Sequence, residues 1–153
     1  MWNKINKQSE ILFNKCLQKN ITITTAESCT GGMVASSIVS INGSSSIFKS
    51  SIVTYSNSMK SKLLKIPANI IETNGAVSEE TAYQMALNVL SIMAADISIA
   101  VTGIAGPTGG SKDKPVGLVW IAIGTKARVF NKKYLLNGSR LEIRQKTTLE
   151  SLK

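Results

Sequence analysis

The stretch Asp96-Ile97-Ser98-Ile99-Ala100-Val101 is apolar almost without relief, and it follows directly on a long helical pattern. A strand with one wet face alternates apolar and polar residues. One that does not alternate is covered on both faces, as the inner strands of parallel sheets are. The helical pattern before it opens at Ser78, a helix-capping residue, with Glu79 and Glu80 in the first turn. It carries Ala82, Met85, Ala86, Val89, Leu90 and Met93 as an apolar stripe. A helix feeding a doubly covered strand confines the chain to an α/β arrangement, with helices on both sides of a sheet.

The rest of the chain fits that frame. Residues 2–19 read as an amphipathic helix on Ile5, Ser9, Leu12, Phe13, Cys16 and Leu17. Residues 21–25 are β-branched throughout and predict a short strand. Residues 33–40 predict a buried helix, 47–55 a second strand, and 57–64 a short helix that stops before Pro67. Residues 116–123 and 129–136 predict two strands joined near Gly124 as an antiparallel pair, and 140–152 a closing helix. The alternation predicts a single three-layer α/β/α domain over 1–153, built on a mixed β-sheet.

Composition narrows the chemistry. The chain has no histidine, which removes the Ser-His-Asp triad, the Cys-His dyad and histidine-ligated zinc. A hydrolase built from these residues takes its general base from lysine, a carboxylate or a metal-bound water held by oxygens, and the carboxylates are few and do not cluster with metal-ligand spacing. No metal and no cofactor is expected. Eighteen Lys/Arg against nine Asp/Glu give a net charge of +9, but the charge is scattered and aromatics are 5% of the residues. That argues against a specific nucleic-acid partner, which would need a basic track with stacking platforms. Scattered charge of this kind serves solubility in most proteins; where it faces an anion, an acidic membrane or a phosphorylated small molecule is the other class of partner. No run approaches the ~20 apolar residues of a membrane helix, and no signal-like core follows the N-terminal lysines, so a cytoplasmic location without a membrane partner is expected. A homodimer is the expectation from the commonness of that state.

Three segments stand outside the pattern of core and surface. In Thr25-Ala26-Glu27-Ser28-Cys29-Thr30-Gly31-Gly32 a strand gives way to a helix, where free N–H groups and the positive helix end gather. A serine there can be a nucleophile beside an oxyanion hole, with the N–H groups near Gly31 and Gly32 as donors. A capped helix start accounts for the same residues without chemistry. Cys29 competes with Ser28, because a helix N-terminus lowers a thiol's pKa. In Val53-Thr54-Tyr55-Ser56-Asn57-Ser58-Met59-Lys60, a desolvated Lys60 can act as a base and Tyr55 can pass or orient the proton, although most lysines are simply solvated. Thr102-Gly103-Ile104-Ala105-Gly106-Pro107-Thr108-Gly109-Gly110 follows the buried strand at its carboxyl end, where ligands of α/β sheets bind. Its N–H groups can cradle a phosphate or carboxylate. It matches neither a Walker loop nor a Rossmann fingerprint.

These three segments, with Gly75-Ala76-Val77-Ser78-Glu79-Glu80 and Lys114-Pro115-Val116-Gly117, occur in the order and approximate spacing of the CinA C-terminal domain. The chain resembles that family, also known as the nicotinamide-nucleotide amidases, over nearly its whole length from about Ile11. The resemblance implies deamidation of nicotinamide mononucleotide to nicotinic acid mononucleotide and ammonia. It implies Ser28 as nucleophile with Lys60 and Tyr55 as activating partners. Thr102, the loop glycines Gly103, Gly106, Gly109 and Gly110, and Arg140 would help hold the nucleotide, with Glu27, Thr30, Gly31 and Gly32 counted on the substrate side of the site. Two other readings stand beside it: a nucleic-acid-associated domain linked to competence or repair, and an inactive interaction domain.

Overall fold

A computed structural model describes residues 1–153. The elements run α1 (Trp2–Lys19), β1 (Ile23–Glu27), α2 (Met33–Val39), β2 (Phe48–Val53), α3 (Asn57–Leu64), α4 (Ala68–Asn74), α5 (Glu79–Met93), β3 (Ile97–Gly103), β4 (Leu118–Thr125), β5 (Val129–Leu135) and α6 (Arg140–Ser151). The five strands form one mixed sheet in the order β2-β1-β3-β4-β5. β1 pairs in parallel with β2 and β3, while β3–β4 and β4–β5 are antiparallel. Helices α1, α2 and α6 pack together on one face of the sheet. α5 covers the other face, with α3 and α4 against it.

Strand alternation sorts the core into two halves. Ile23, Ile99, Val101, Val119 and Ile121 face the α1/α2/α6 layer with Ile5, Val34, Ile38 and Ile143. The opposite face offers mostly small residues, Ala26, Ala100 and Ala122, to Met85, Ala86 and Val89 of α5. Small sheet residues let α5 lie close. Ser98 Oγ donates to the Ala86 carbonyl at 2.7 Å, and a Cβ on Gly124 would stand 2.4 Å from that Oγ. This face has no room for a larger side chain. Ala100→Leu is expected to destabilise the protein by about 1–3 kcal/mol through overpacking, read as a lowered denaturation midpoint.

Three expectations shift. β4 runs Leu118–Thr125, so Gly124 lies within it and pairs with Val129, and the antiparallel pair is joined at 126–128. The first strand begins at Ile23 and not at 21, because Thr22 is held by Asp96: its N–H and Oγ1 both donate to the Asp96 carboxylate, at 3.0 and 2.8 Å. Helix α4 has no counterpart in the sequence reading. Pro67 stands at its N-cap, and its β-branched Ile70, Ile71 and Thr73 are weak helix formers, so packing of Ile71 against α5 supplies what propensity does not.

Candidate active site

The parallel half of the sheet ends at one point in space. Ser28, the residue after β1, donates its N–H to the Val101 carbonyl of β3 at 3.0 Å. Thr54, the residue after β2, donates its N–H to the Glu27 carbonyl at 2.8 Å. The alternation of β1 then sends consecutive side chains to opposite faces. Glu27 turns toward α2, and Ser28 turns toward α3, where it meets Lys60.

Lys60 is 1% exposed, and on α3 it shares the buried face with Leu64, one turn on. Ser56 caps that helix by accepting from the Met59 N–H, which sets the helix start and so the direction of Lys60. The Lys60 Nζ lies 3.0 Å from Ser28 Oγ and 2.9 Å from the Thr54 carbonyl. No carboxylate pairs with it; the two ion pairs of the chain are Lys126–Asp96 and Lys153–Glu150. Burial lowers its pKa from the usual lysine range to about 8, opposed by the neighbouring Cys29. At pH 7 about one molecule in ten therefore carries a neutral amine in hydrogen-bond contact with a serine hydroxyl, and the share grows as pH rises.

Cys29 lines the same cavity, but its thiol is pushed up to about 12, mainly by burial and further by Glu27, against the weaker pull of its own N–H. The thiolate-lowering helix end foreseen for it is not available, because Glu27 occupies that position. The Glu27 carboxylate is 0% exposed and accepts from Thr30 Oγ1 at 2.6 Å and from the N–H groups of Gly32, Val34 and Ala35 at 2.9, 3.1 and 2.8 Å. It closes the first turn of α2 from within and does not reach the cavity. Thr30 is likewise buried, with its carbonyl taking Arg144 Nη2 at 2.7 Å.

The donors foreseen at Gly31 and Gly32 are spent. Gly31 donates to the Ser28 carbonyl at 3.1 Å and Gly32 to Glu27. Their φ angles of 59° and 92° are what the glycines supply to the turn. The N–H groups of Ala105 and Gly106 donate to nothing in the chain, and that of Cys29 meets only its own thiol. All three residues line a cavity of about 320 Å³ together with Ser28, Lys60, Thr102, Gly103 and Gly109. Gly110 is not in the lining; a Cβ there would stand 2.7 Å from the Val116 nitrogen, so it serves the fold of the loop.

Tyr55 and Arg140 close the rim. Tyr55 is 62% exposed, and its hydroxyl accepts from Arg140 Nη2 at 2.7 Å. Arg140 Nη1 donates to the Gly106 carbonyl, also at 2.7 Å. No hydrogen bond joins Tyr55 to Lys60 or Ser28, which contact each other directly. Arg140 is the first residue of α6, and Ser139 caps that helix in a reciprocal box with Glu142. Thr102 lines the cavity and donates from Oγ1 to the Ala76 carbonyl at 2.7 Å, which draws the 75–77 segment to the rim. Ala76, Val77 and Asn57 also line the cavity, though the sequence reading assigned them no role in the site. Asn57 and Ala76-Val77 had a signal, since both stand in motifs shared with the resembled family.

The sequence profile of the CinA C-terminal domain matches residues 5–153. A putative competence-damage inducible protein of Thermoanaerobacter pseudethanolicus is 44% identical over 147 residues, 95% of this chain and 36% of that protein. A CinA-like protein of Prochlorococcus marinus is 48% identical over 88% of this chain and 31% of its own length. The chain thus spans about a third of these relatives. The competence/damage inducible protein CihA of Agrobacterium tumefaciens, solved by crystallography, superposes with a TM-score of 0.94 at 38% identity, covering 97% of this chain and 92% of that one.

Proposed function

The chain belongs to the CinA C-terminal domain family, and from that premise we propose that it is a nicotinamide mononucleotide deamidase with a serine nucleophile and a lysine base. What carries the reading is the 3.0 Å contact of a buried, unpaired Lys60 with Ser28. Neutral Lys60 donates one N–H to the Thr54 carbonyl and accepts the Ser28 hydroxyl proton on its lone pair. The Ser28 Oγ attacks the carboxamide carbon, and the carbonyl π pair moves onto oxygen. The N–H groups of Ala105 and Gly106 are unpartnered donors for that oxyanion, an effect worth about 3–4 kcal/mol per donor. As the tetrahedral adduct collapses, Lys60 returns its proton to the departing nitrogen and ammonia leaves. Water then gives a proton to Lys60 and attacks the ester. The acid is released, and the Ser28 oxygen takes the proton back.

The rim supports a nucleotide substrate. Arg140 spends two of its five donors on Gly106 and Tyr55, which leaves its charge and the remaining donors for a phosphate. Purified protein should release ammonia and nicotinic acid mononucleotide in equal amounts from nicotinamide mononucleotide. Failure to do so at any pH would remove the proposal. Arg140→Ala should lower kcat/KM for the mononucleotide roughly 10–100-fold while changing that for the unphosphorylated riboside less than about threefold. Equal losses on the two substrates would assign Arg140 to the rim's structure alone.

A further inference from the structure

We propose that the Ser28–Lys60 end of the cavity is also a carboxylate-binding site, so that the acid formed by the amidase reaction holds the enzyme that made it; this rests on the functional reading above.

The argument starts from a count of donors. A lysine ammonium has three N–H groups. Two find acceptors in the chain, Ser28 Oγ and the Thr54 carbonyl, and the third has none. Lys60 lines the cavity, so that is where an acceptor for the third can stand. The protein offers no anion of its own to Lys60. Glu27, the acid next to Ser28 in the chain, is turned to the other face of the sheet with its oxygens committed to the α2 turn.

Apart from Glu27, whose carboxylate is committed to the α2 turn and opposes an anion, the titratable and charged groups around the site favour an incoming anion or are neutral to it. The turn after β1 brings the Cys29 thiol, which burial keeps protonated. The end of β2 brings Tyr55, and α6 brings Arg140 and Arg144, neither of which has a carboxylate partner. Segments 75–77 and 102–109 contain no titratable side chain. A carboxylate in the place of the reacting carboxamide would set one oxygen on the unpartnered N–H groups of the cavity and the other on the third donor of Lys60. It would thereby supply the counter-ion that burial denies to this lysine.

The acid and the amide thus select different protonation states. The amide reacts with neutral Lys60, while the acid binds best to the ammonium, and above the Lys60 pKa its binding draws a proton from solvent. Lys60 in the free protein loses its proton near pH 8. Below that pH the acid is held at full strength. Above it, affinity falls by about tenfold per pH unit until Lys60 deprotonates in the complex as well. Product retention and turnover then respond oppositely to pH, with retention strongest where the base is least available.

The test uses Ser28→Ala protein, which binds both ligands without turning either over. Calorimetric titration with nicotinic acid mononucleotide and with nicotinamide mononucleotide is run between about pH 6.5 and about pH 9.5. Both ligands carry the same phosphate, so the amide corrects for everything except the carboxylate. The acid should bind with pH-independent affinity at the lower end and weaken about tenfold per unit above pH 8, while the amide does not weaken over that range. Lys60→Met in the same background should flatten the curve for the acid. Matching pH responses for the two ligands would overturn the proposal, and the single Ser28→Ala protein decides this even if the double variant does not fold. Absence of ammonia release from wild-type protein would instead count against the amidase reading.

Discussion

Ser28→Ala protein is expected to lose roughly three to six orders of magnitude in kcat for ammonia release while melting within a few degrees of wild type. The hydroxyl is the atom that bonds to the substrate, and nothing else in the cavity replaces it. Water lacks the fixed position, and the Cys29 thiol stays protonated under the burial that pushes it up to about 12. Ser28 is 7% exposed and its Oγ bonds only to Lys60, so the truncation leaves little unfilled space and no chain of broken contacts. Cys29→Ala should retain most of the activity, because the thiol packs in the core cluster and burial keeps it protonated. A dead Cys29→Ala beside an active Ser28→Ala would reverse the assignment of the nucleophile.

Lys60→Arg should fail almost as badly as Lys60→Ala, each lowering kcat by roughly 10²–10⁴-fold or more. A lysine can lose its proton to burial, and the lowering of Lys60 to about 8 comes mainly from desolvation. A guanidinium does not deprotonate in a protein, so arginine keeps the charge and loses the lone pair. It is also larger, in a site where the lysine is 1% exposed. Circular dichroism and melting separate misfolding from loss of chemistry, and Lys60→Ala gives the reference for removal of the base alone. An arginine variant near the wild-type rate would mean that Lys60 supplies only positive charge.

Much of this molecule was legible before any coordinates, for physical reasons particular to each element. The unrelieved strand after α5 announced a sheet covered on both faces, and Ser78 with Glu79 and Glu80 marked the start of α5. The turn after β1, the residues after β2 and the glycine loop after β3 were recognisable as breaks at the carboxyl ends of strands. The sheet order then places those three ends side by side. Lys60 was harder to single out, since Lys62 and Lys65 stand near it and local spacing does not separate buried from solvated lysines. The discriminating sign is Leu64, four residues on, which shares its buried face. The roles of Glu27, Gly31 and Gly32 were not legible. A carboxylate that turns inward to satisfy helix donors looks in sequence like one that faces a ligand. The two part only when the strand's alternation sends Glu27 and Ser28 to opposite faces. In sequence Tyr55 reads as able to pass or orient the proton; in the fold its hydroxyl meets Arg140 at the rim, a long-range partner that local sequence does not show.

The account turns on Lys60 acting as a neutral amine against Ser28, and the pH dependence of kcat/KM for ammonia release from nicotinamide mononucleotide tests that most directly. The base must be unprotonated to take the serine proton, so the reactive fraction grows as pH rises through the Lys60 pKa of about 8. The substrate's phosphate titrates near pH 6, well below that window, and does not confuse it. The predicted profile climbs about tenfold per pH unit below the pKa and levels off above it. A profile that is flat across that window, or that falls as pH rises through it, would contradict the account, because it would mean that Lys60 works as an ammonium ion or does not take part in the proton transfer.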